Sequence, residues 1–482
     1  MNGSPRVRKV TYGLARPFRA VPEEPPYVAI LPFLQHRRTA LRAAPSELRR
    51  RVAAFLLVAC AAGCGRNEPP PNVLLVVVDT LRQDRLEPYG YAARATSPAL
   101  AALERESVVV AGLTCSSSWT LPSVATLFTG LDPVGHRVSR MRDRLEVGDT
   151  LAELYAAAGY STACVMSNFL LAGRGTSFGI GFDQGFEHWD GTVARKPEPH
   201  RGITAPEVTR SGLAWLERAD PAKPWLLVLH YFDPHAVYED NPAHDFADPG
   251  YEGWVRGGLS TGELRAHQVA TTAADRDQLG AFYDEEVRAV DDALAAVLAA
   301  LRARPDFERT LVVVTADHGE ELAERGRIGH NHSLHAELVD LPLLVRLPGG
   351  AGAGTRVSAR LPQRDLYATL LELCGLQAPS GRGRSFAAIL RGTETPRDRD
   401  CWMETDFVPA LAERSEKRTH MRGLIAGGHK LVQDLERGGW SLYDLAADPA
   451  EAADLAGAAG ARALREELAA RVREHAWFER EP

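Results

Sequence analysis

The chain has 482 residues, 45% of them apolar and 25% charged, which indicates a folded globular protein with one large α/β domain and a smaller partner. The formal net charge is −7, but residues 1–51 carry 11 Lys or Arg and 3 Asp or Glu, so the other 45 basic and 60 acidic side chains leave the rest of the chain at about −15. An acidic surface does not attract a polyanion, so nucleic acid is excluded as a partner, whereas a local positive pocket for a small anion is not.

The N-terminal segment, residues 1–64, is predicted to be a targeting sequence rather than part of the folded protein. A triple arginine precedes the apolar run VAAFLLVACAAG, which is too short to span a bilayer but fits the core of a signal peptide. The alternative is a short buried helix. The ends of LVAC at Cys60 and AAGC at Cys64 resemble the bacterial lipobox, whose cysteine is lipidated after cleavage. We therefore expect an exported protein, periplasmic or at the cell surface, that is anchored to a bacterial membrane by lipid, with residues 65–71 as a tether.

From residue 72 onward, short β-branched runs alternate with helical stretches, a pattern typical of a mostly parallel sheet covered by helices. The predicted strands are VLLVVV, STACVM, WLLVLHYF, LVVVTADHG and PLLVRLPGG, which begin at Val73, Ser161, Trp225, Leu311 and Pro342. A long amphipathic helix is expected from about Asp275 to Arg304. Residues 72–397 are thus predicted to be an α/β catalytic domain with a mostly parallel central sheet flanked by helices.

The pattern changes near the C-terminus. The segments GLIAGG, HKLVQD and WSLYDL read as antiparallel strands, and a final helix is expected near residues 460–475. Residues 398–482 are therefore predicted to form a small antiparallel C-terminal subdomain. Residues 168–205 and 236–275 lack a clear period and are predicted to be long loops over the site.

Three aspartates, Asp79, Asp233 and Asp317, come just after predicted strands. In an open parallel sheet the carboxyl ends of the strands form the crevice where ligands bind, so all three can face one site. A buried aspartate is costly unless it is paired or coordinates a cation, which makes Asp79 a candidate metal ligand, with helix capping as the alternative. His318, beside Asp317, adds an imidazole that suits a divalent metal such as zinc or manganese.

A hydroxyl and a group of histidines complete the candidate site. Thr120 precedes Pro122, where a helix can begin and direct free backbone N–H groups toward an anion, so its hydroxyl could act as a nucleophile or merely cap the helix. One isolated histidine is usually structural, but five in two loops at strand ends indicate a site. The five are His230, His235, His330, His332 and His335.

The order and content of these motifs resemble the sulfatase family of the alkaline phosphatase superfamily over roughly residues 70–460. VLLVVVDTLR is similar to its first metal strand, TLPSVATLFTG to its nucleophile segment, DPH to its substrate loop, TADHGE to its second metal strand, and HKLVQD with LYDLAADP to its C-terminal subdomain. The resemblance implies hydrolysis of a small anionic ester with a divalent ion: calcium, manganese or zinc. The implied metal ligands are Asp79, Asp317, His318 and Thr120. The implied oxyanion and leaving-group contacts are His235 and His332, with Asp233 and His330 as further substrate contacts; a second metal ion stays open.

The nucleophile segment departs from the family signature, which is Cys or Ser, any residue, Pro, Ser and Arg, then a run that ends in Thr-Gly. Counting back nine residues from Thr129 reaches Thr120, and Val124 replaces the arginine. Cys115 lies five residues too early and lacks both Pro and Arg, so we reject it as the nucleophile. Threonine cannot be oxidised to formylglycine, so no formylglycine is expected. Thr120 instead resembles the threonine of phosphodiesterases and phosphoglycerol transferases in this superfamily.

Three functions stay open at this point. Hydrolysis or transfer of a phosphate ester fits Thr120 and is slightly favoured. A sulfatase that works without formylglycine fits the similarity of the motifs as a whole. A catalytically silent binding protein fits the lost signature residues, but such a protein has no reason to keep Asp79 together with Asp317 and His318.

Overall fold

The computed structural model describes residues 69–173, 177–195, 202–408 and 418–477. The predicted signal segment and its two lipobox cysteines, Cys60 and Cys64, lie outside the described residues. Across those four described ranges, no helix is both long enough and apolar enough to cross a membrane.

The central sheet and the C-terminal sheet are built from strands that are short and mostly buried. The described residues contain the strands β1 (Asn72–Val78), β2 (Val108–Thr114), β3 (Ser161–Met166), β4 (His188–Asp190), β5 (Trp225–Tyr231), β6 (Thr310–Ala316), β7 (Glu321–Leu322), β8 (Ile328–Gly329), β9 (Asp340–Arg346), β10 (Arg356–Pro362), β11 (Cys401–Phe407), β12 (Thr419–Ala426), β13 (His429–Asp434) and β14 (Trp440–Asp444). The central sheet has the order β10-β2-β9-β6-β1-β5-β3-β4, β11 to β14 form a second sheet, and β7 and β8 form a hairpin.

β1 lies inside the central sheet, and all seven of its residues are buried, as expected of an apolar strand that is covered on both faces. It pairs in parallel with β5 and β6, and Val78 lies opposite both Tyr231 and Ala316. This register brings the residues that follow β1 and β6 to the same point of the sheet edge. β9 is antiparallel to its neighbours β2 and β6. The sheet is therefore mostly parallel, which confirms the predicted fold class.

Helices cover the central sheet. The α-helices of the described residues are α1 (Pro98–Glu104), α2 (Thr120–Thr129), α3 (Pro133–His136), α4 (Leu151–Ala157), α5 (Ala205–Arg218), α6 (Thr261–His267), α7 (Ala273–Arg302), α8 (Ala336–Val339), α9 (Arg364–Leu373), α10 (Ala387–Leu390) and α11 (Arg462–Glu474). The predicted long helix is α7, which begins with a capping box between Thr272 and Asp275. α2 begins at Thr120, two residues before the suggested start at Pro122, because proline is tolerated within a first turn.

The loop predicted over residues 236–275 holds only as far as residue 260, because α6 and the start of α7 occupy the rest, and β4 lies inside the loop predicted over residues 168–205. The segment 236–260 contains no helix or strand, but it is hydrogen-bonded to α7. The carboxylate of Glu285 accepts hydrogen bonds from the backbone N–H groups of Asn241 at 2.9 Å, Phe246 at 2.8 Å and Ala247 at 3.1 Å. Backbone donors that are turned away from water need acceptors, and the buried carboxylate of Glu285 supplies them here. The loop therefore has a fixed path without regular secondary structure.

The C-terminal strands form an antiparallel sheet, as predicted. α11 packs on this sheet through an apolar core that includes Leu424, Leu431, Leu442, Leu468 and Val472. The buried ammonium of Lys430, on β13, forms an ion pair with Glu451 and donates to the backbone carbonyl of Leu334 at 2.9 Å. Glu451 also accepts from His335 Nδ1 at 2.7 Å. These contacts join the C-terminal sheet to the loop that precedes α8.

Candidate metal centre and nucleophile

Two fully buried carboxylates meet at the carboxyl edge of the central sheet. Asp79 follows β1 and Asp317 follows β6, and one ligand atom from each lies within 4.8 Å of the other and of a ring nitrogen of His230. Asp79 Oδ1 and Asp317 Oδ2 have no hydrogen-bond partner among the described residues. Burial raises the pKa of Asp79 well above its usual value, and the negative charge of Asp317 raises it further. Such a pair is costly to bury unless a cation lies between the oxygens, so the donors fit a divalent metal.

His318 faces both carboxylates and the hydroxyl of Thr120. Its Nε2 lies 3.6 Å from Asp79 Oδ1, 3.6 Å from Asp317 Oδ2 and 3.3 Å from Thr120 Oγ1. Its Nδ1 lies 2.9 Å from the backbone carbonyl of Gly319, which can only accept, so the proton is on Nδ1. In the neutral ring Nε2 then carries the lone pair that a ligating imidazole needs.

Thr120 is the first residue of α2, and its side chain is buried. The N-terminus of a helix carries a partial positive charge, which favours negative charge on a nearby oxygen. The side-chain amide of Asn168 donates to Asp79 Oδ2 and lies 3.5 Å from Thr120 Oγ1. Asn168 thus links the candidate nucleophile to one of the carboxylates.

Val124, within the nucleophile segment, and Cys115, which precedes it, offer no charge. Val124, which stands where the family signature has arginine, is buried in the apolar core. The thiol of Cys115 is fully buried and lies 3.7 Å from the carbonyl of Leu338. Burial raises the pKa of this thiol far above its usual value, so it is neutral.

Sequence reasoning did not assign His230 and Asn168 to this cluster. His230 lies within β5 rather than after it, and neither ring nitrogen has a hydrogen-bond partner among the described residues. Burial lowers its pKa to about 4, so the ring is neutral, the form that binds a metal. The motif HYFDPH contains His230, but its nearness to Asp79 follows only from the position of β5 beside β1. Asn168, two residues past β3, carries only the weak signal of a polar side chain at a strand end.

Three imidazole rings lie in a row that starts at His318. The ring of His330 contacts the ring of His318 with centroids 4.5 Å apart, and the ring of His235 with centroids 4.8 Å apart. Glu320 Oε1 lies 2.8 Å from His330 Nδ1. Phe232 stacks on the far side of His235 at 4.4 Å. The structure thus brings two of the predicted histidines to the side of the Asp79–Asp317 pair.

His332, Asp233 and His335 stand apart from this row. Both ring nitrogens of His332 face acceptors, with Nδ1 3.0 Å from the carbonyl of His330 and Nε2 2.9 Å from Glu321. Asp233 accepts from the hydroxyl of Thr204 at 2.9 Å and from its backbone N–H at 3.1 Å, at the start of α5. His335 is engaged by Glu451 in the link described above.

A family model described as "Sulfatase" matches residues 71–376, and one described as "N-sulphoglucosamine sulphohydrolase, C-terminal" matches residues 329–477. A Delta 4,5-hexuronate-2-O-sulfatase of Bacteroides thetaiotaomicron is 25% identical over 437 residues, covering 83% of this chain and 87% of the relative. A multifunctional alkaline phosphatase superfamily protein of Trinickia caryophylli is 26% identical over 407 residues, covering 66% and 77%.

Solved structures share the fold. The crystal structure of the phosphonate monoester hydrolase of Agrobacterium radiobacter superimposes with a TM-score of 0.68 at 22% identity, covering 84% of this chain and 95% of that one. The structure of another protein, solved in complex with its substrate D-glucosamine-2-N,6-O-disulfate, superimposes with a TM-score of 0.67 at 21% identity. The match covers 84% of this chain and 97% of that one. At these identities the likeness concerns the fold alone.

Proposed function

Because the chain belongs to the sulfatase family, and is thus a sulfuric or phosphoric ester hydrolase, we propose that it hydrolyses or transfers a phosphate ester with Thr120 as its nucleophile. One observation carries this proposal: His318 Nε2 faces the unpartnered oxygens of Asp79 and Asp317 at 3.6 Å each and the Thr120 hydroxyl at 3.3 Å. Hydrolysis of a sulfate ester without formylglycine is the second candidate, supported by the curated sulfatases among the relatives.

In this proposal Asp79, Asp317, His318 and Thr120 would hold a divalent ion, calcium, manganese or zinc, and His230 is a further candidate ligand. Such an ion lowers the pKa of a hydroxyl and offsets the negative charge of an ester. The mixture of carboxylate oxygens and imidazole nitrogens suits the transition metals of this group better than calcium.

The side chains of the chain itself would act as follows. The Thr120 oxygen attacks phosphorus, the bond to the alcohol breaks, and the threonine phosphate ester that forms is then hydrolysed by water or passed to another acceptor. Asn168 and the N-terminus of α2 hold the attacking oxygen. His235 and His332 are proposed to contact the leaving alcohol and the ester oxygens, with His330 and Asp233 as further substrate contacts. Release of His332 from Glu321 would be needed for its Nε2 to reach the substrate.

The test is a comparison of three esters, namely a sulfate ester, a phosphate monoester and a phosphodiester. Each is assayed with the chelated protein and after addition of calcium, manganese or zinc. We expect turnover of a phosphate ester, lost on chelation and restored by one of the ions. Turnover of the sulfate ester alone would favour the second candidate, and turnover of none would contradict both.

We also propose that the mature protein begins at Cys64 and is anchored to a bacterial membrane by lipid. The triple arginine, the apolar run and the AAGC sequence support this. Mass spectrometry of the native protein is expected to find Cys64 at the N-terminus with more than one acyl chain, since a single chain binds weakly. An unmodified Cys64 inside an intact N-terminus would contradict it.

A further inference from the structure

A pocket of about 660 Å³ opens beside His332, between α6, the β7–β8 hairpin and the C-terminal sheet. Its described charged lining, apart from His332, consists of Arg265, Arg327, Arg418, Arg437, Asp434 and Glu436. The lining therefore has two more basic than acidic side chains, although the chain beyond residue 51 is strongly acidic. A concave patch of this sign concentrates anions against the field of the rest of the surface.

The charges in this pocket are not equally engaged. Arg418 is neutralised by Asp406 at 2.9 Å and by Glu436 at 3.4 Å. Asp434 accepts hydrogen bonds from the backbone N–H groups that follow it, at 3.0 and 2.9 Å. Within the part of the chain that the structure describes, the guanidinium groups of Arg327 and Arg437 form no hydrogen bond or ion pair. Arg327 and Arg437 can therefore form ion pairs with an anionic ligand without first breaking a contact within the described part of the chain.

The pocket adjoins the histidine row through His332. His332 lines the pocket, and its Nδ1 lies 3.0 Å from the backbone carbonyl of His330, the middle residue of the row. The guanidinium of Arg265 lies close to Gly329, the residue before His330: a Cβ atom built on Gly329 would lie 3.9 Å from Arg265 Nη2. The segment that carries Arg265 is anchored there through Gln268, whose side-chain oxygen accepts from the backbone N–H of Ile328 at 3.0 Å. The pocket is therefore adjacent to the row whose first ring, that of His318, faces the Thr120 hydroxyl.

We propose that the pocket binds a second anionic group, a carboxylate or a further phosphate or sulfate, on the alcohol part of the substrate. Arg327 and Arg437 are the residues that determine this specificity. A guanidinium matches the two oxygens of such groups with paired hydrogen bonds, and such pairs are among the stronger ones in proteins. The inference rests on the proposed function, because it takes the reacting ester to lie at Thr120. It defines the substrate class as an ester with at least two anionic groups.

The experiment compares phenyl phosphate, 4-carboxyphenyl phosphate and hydroquinone bisphosphate, together with the three corresponding sulfate esters. We expect the parent to prefer at least one of the doubly anionic esters, and the Arg327→Gln and Arg437→Gln double variant to lose about tenfold of that preference in kcat/KM, mainly through KM. Turnover of the phenyl ester should stay within about threefold. Arg397→Gln, which alters an exposed arginine outside the pocket, is the matched control and should keep the preference. The carboxylate and the second phosphate or sulfate serve as separate arms and identify the preferred group.

Binding keeps the test independent of turnover. In the Thr120→Ala background, calorimetry with the same esters should show tighter binding of the doubly anionic ones, and the two arginine substitutions should remove that difference. Equal affinities in that background, or a preference that survives both substitutions, would overturn the inference while leaving the proposed function intact. If the parent turns over none of the esters, the proposed function fails, and the binding difference still decides the role of the pocket.

Discussion

Asp79 and Asp317 illustrate a conflict between stability and function at the scale of single residues. Each is fully buried and leaves one carboxylate oxygen without a hydrogen-bond partner among the described residues. Two such groups side by side cost free energy in a protein without bound metal, and a bound dication reverses the sign of that cost. Linkage between folding and ion binding therefore explains why two carboxylates are buried side by side.

The first prediction concerns that linkage. Asp317→Asn keeps the Oδ1 acceptor for the backbone N–H of His318 and places an amide donor opposite Asp79. We expect the metal-free variant to be more stable than the metal-free parent by roughly 1–3 kcal/mol, and to lose the gain in melting temperature that manganese or zinc gives the parent. Calorimetry with and without chelator measures both. Asp291→Asn, at a buried aspartate that caps α1, should keep the metal-dependent gain. A full gain in Asp317→Asn would contradict the metal assignment.

The second prediction concerns the nucleophile. Thr120→Ala should fold normally and lose several orders of magnitude in kcat, because a covalent mechanism cannot proceed without its nucleophile. Cys115→Ala should stay within a few-fold of the parent, since that thiol is neutral and buried against Leu338. Activity assays with circular dichroism as the folding control separate the two. If Cys115→Ala were inactive and the parent protein carried a formyl group at position 115, the register argument for Thr120 would be wrong.

At the scale of elements, α7 is more than a cover for the sheet. Its buried acids act as acceptors for backbone N–H groups of a loop and of another helix. Glu285 binds three backbone amides of the 236–260 loop, and Asp291 binds those of Ala99 and Leu100 at the start of α1. One rigid helix thus determines the path of chain that lies far away in sequence.

The third prediction follows from this role of α7. Glu285→Ala leaves three amides without their acceptor, one of them buried and two part-buried. An unsatisfied buried donor costs about 1–3 kcal/mol, so we expect a loss of roughly 2–3 kcal/mol in unfolding free energy. Glu285→Gln retains one acceptor oxygen and should lose less. Asp277→Ala removes an exposed ion pair with Arg94 on the same helix and should cost under about 1 kcal/mol. Urea denaturation measures all three, and equal losses for the alanine variants would refute the role of Glu285.

Much of this architecture could be predicted from the sequence because apolar runs mark buried strands. The runs at Val73, Ser161 and Trp225 begin real strands, and the aspartates that follow β1 and β6 lie together. The alternation of strands and helices does not show the order of the strands, however. For that reason Asn168 was missed and His230 was named only among the five histidines, not as a neighbour of Asp79: the nearness of both to Asp79 depends on β5 and β3 lying on one side of β1. The antiparallel direction of β9 depends on its pairing with β2 and β6, which no local pattern reveals.

For the molecule as a whole, the C-terminal sheet and the catalytic part are joined by a buried charge cluster. Lys430 lies on the C-terminal sheet, and Glu451 lies on the loop that follows this sheet. His335 lies just before α8, three residues after His332. Burial raises the pKa of Glu451, but the charge of Lys430 and the hydrogen bonds from His335 and Lys430 outweigh it and lower that pKa to about 2. A lowered carboxyl pKa means that the ionised form stabilises the folded state.

The fourth prediction gives the pH dependence of this cluster. The stabilisation by Glu451 is complete above the unfolded pKa of 4.5 and is lost as the pH falls toward about 2. We expect Glu451→Gln to lower the unfolding free energy by roughly 3 kcal/mol at pH 7, and this difference from the parent to shrink between about pH 5 and pH 2. Glu252→Gln, at an exposed position, should match the parent at every pH. A constant difference across the acid range would contradict the assignment.

The position of β1 has a consequence for how the protein is made. β1 is the first described strand of the chain, yet Val73 must pair with both Leu226 and Leu311. While a ribosome extends the chain, this apolar strand stays without a partner until β5 has emerged and lacks its second partner until β6 has emerged, and pairings between distant segments form slowly. The centre of the sheet therefore stays incomplete, and β1 exposed to aggregation, until β6 has been synthesised. A polypeptide in that condition can still be threaded through a translocation channel, which a chain with an early, stable N-terminal fold could not.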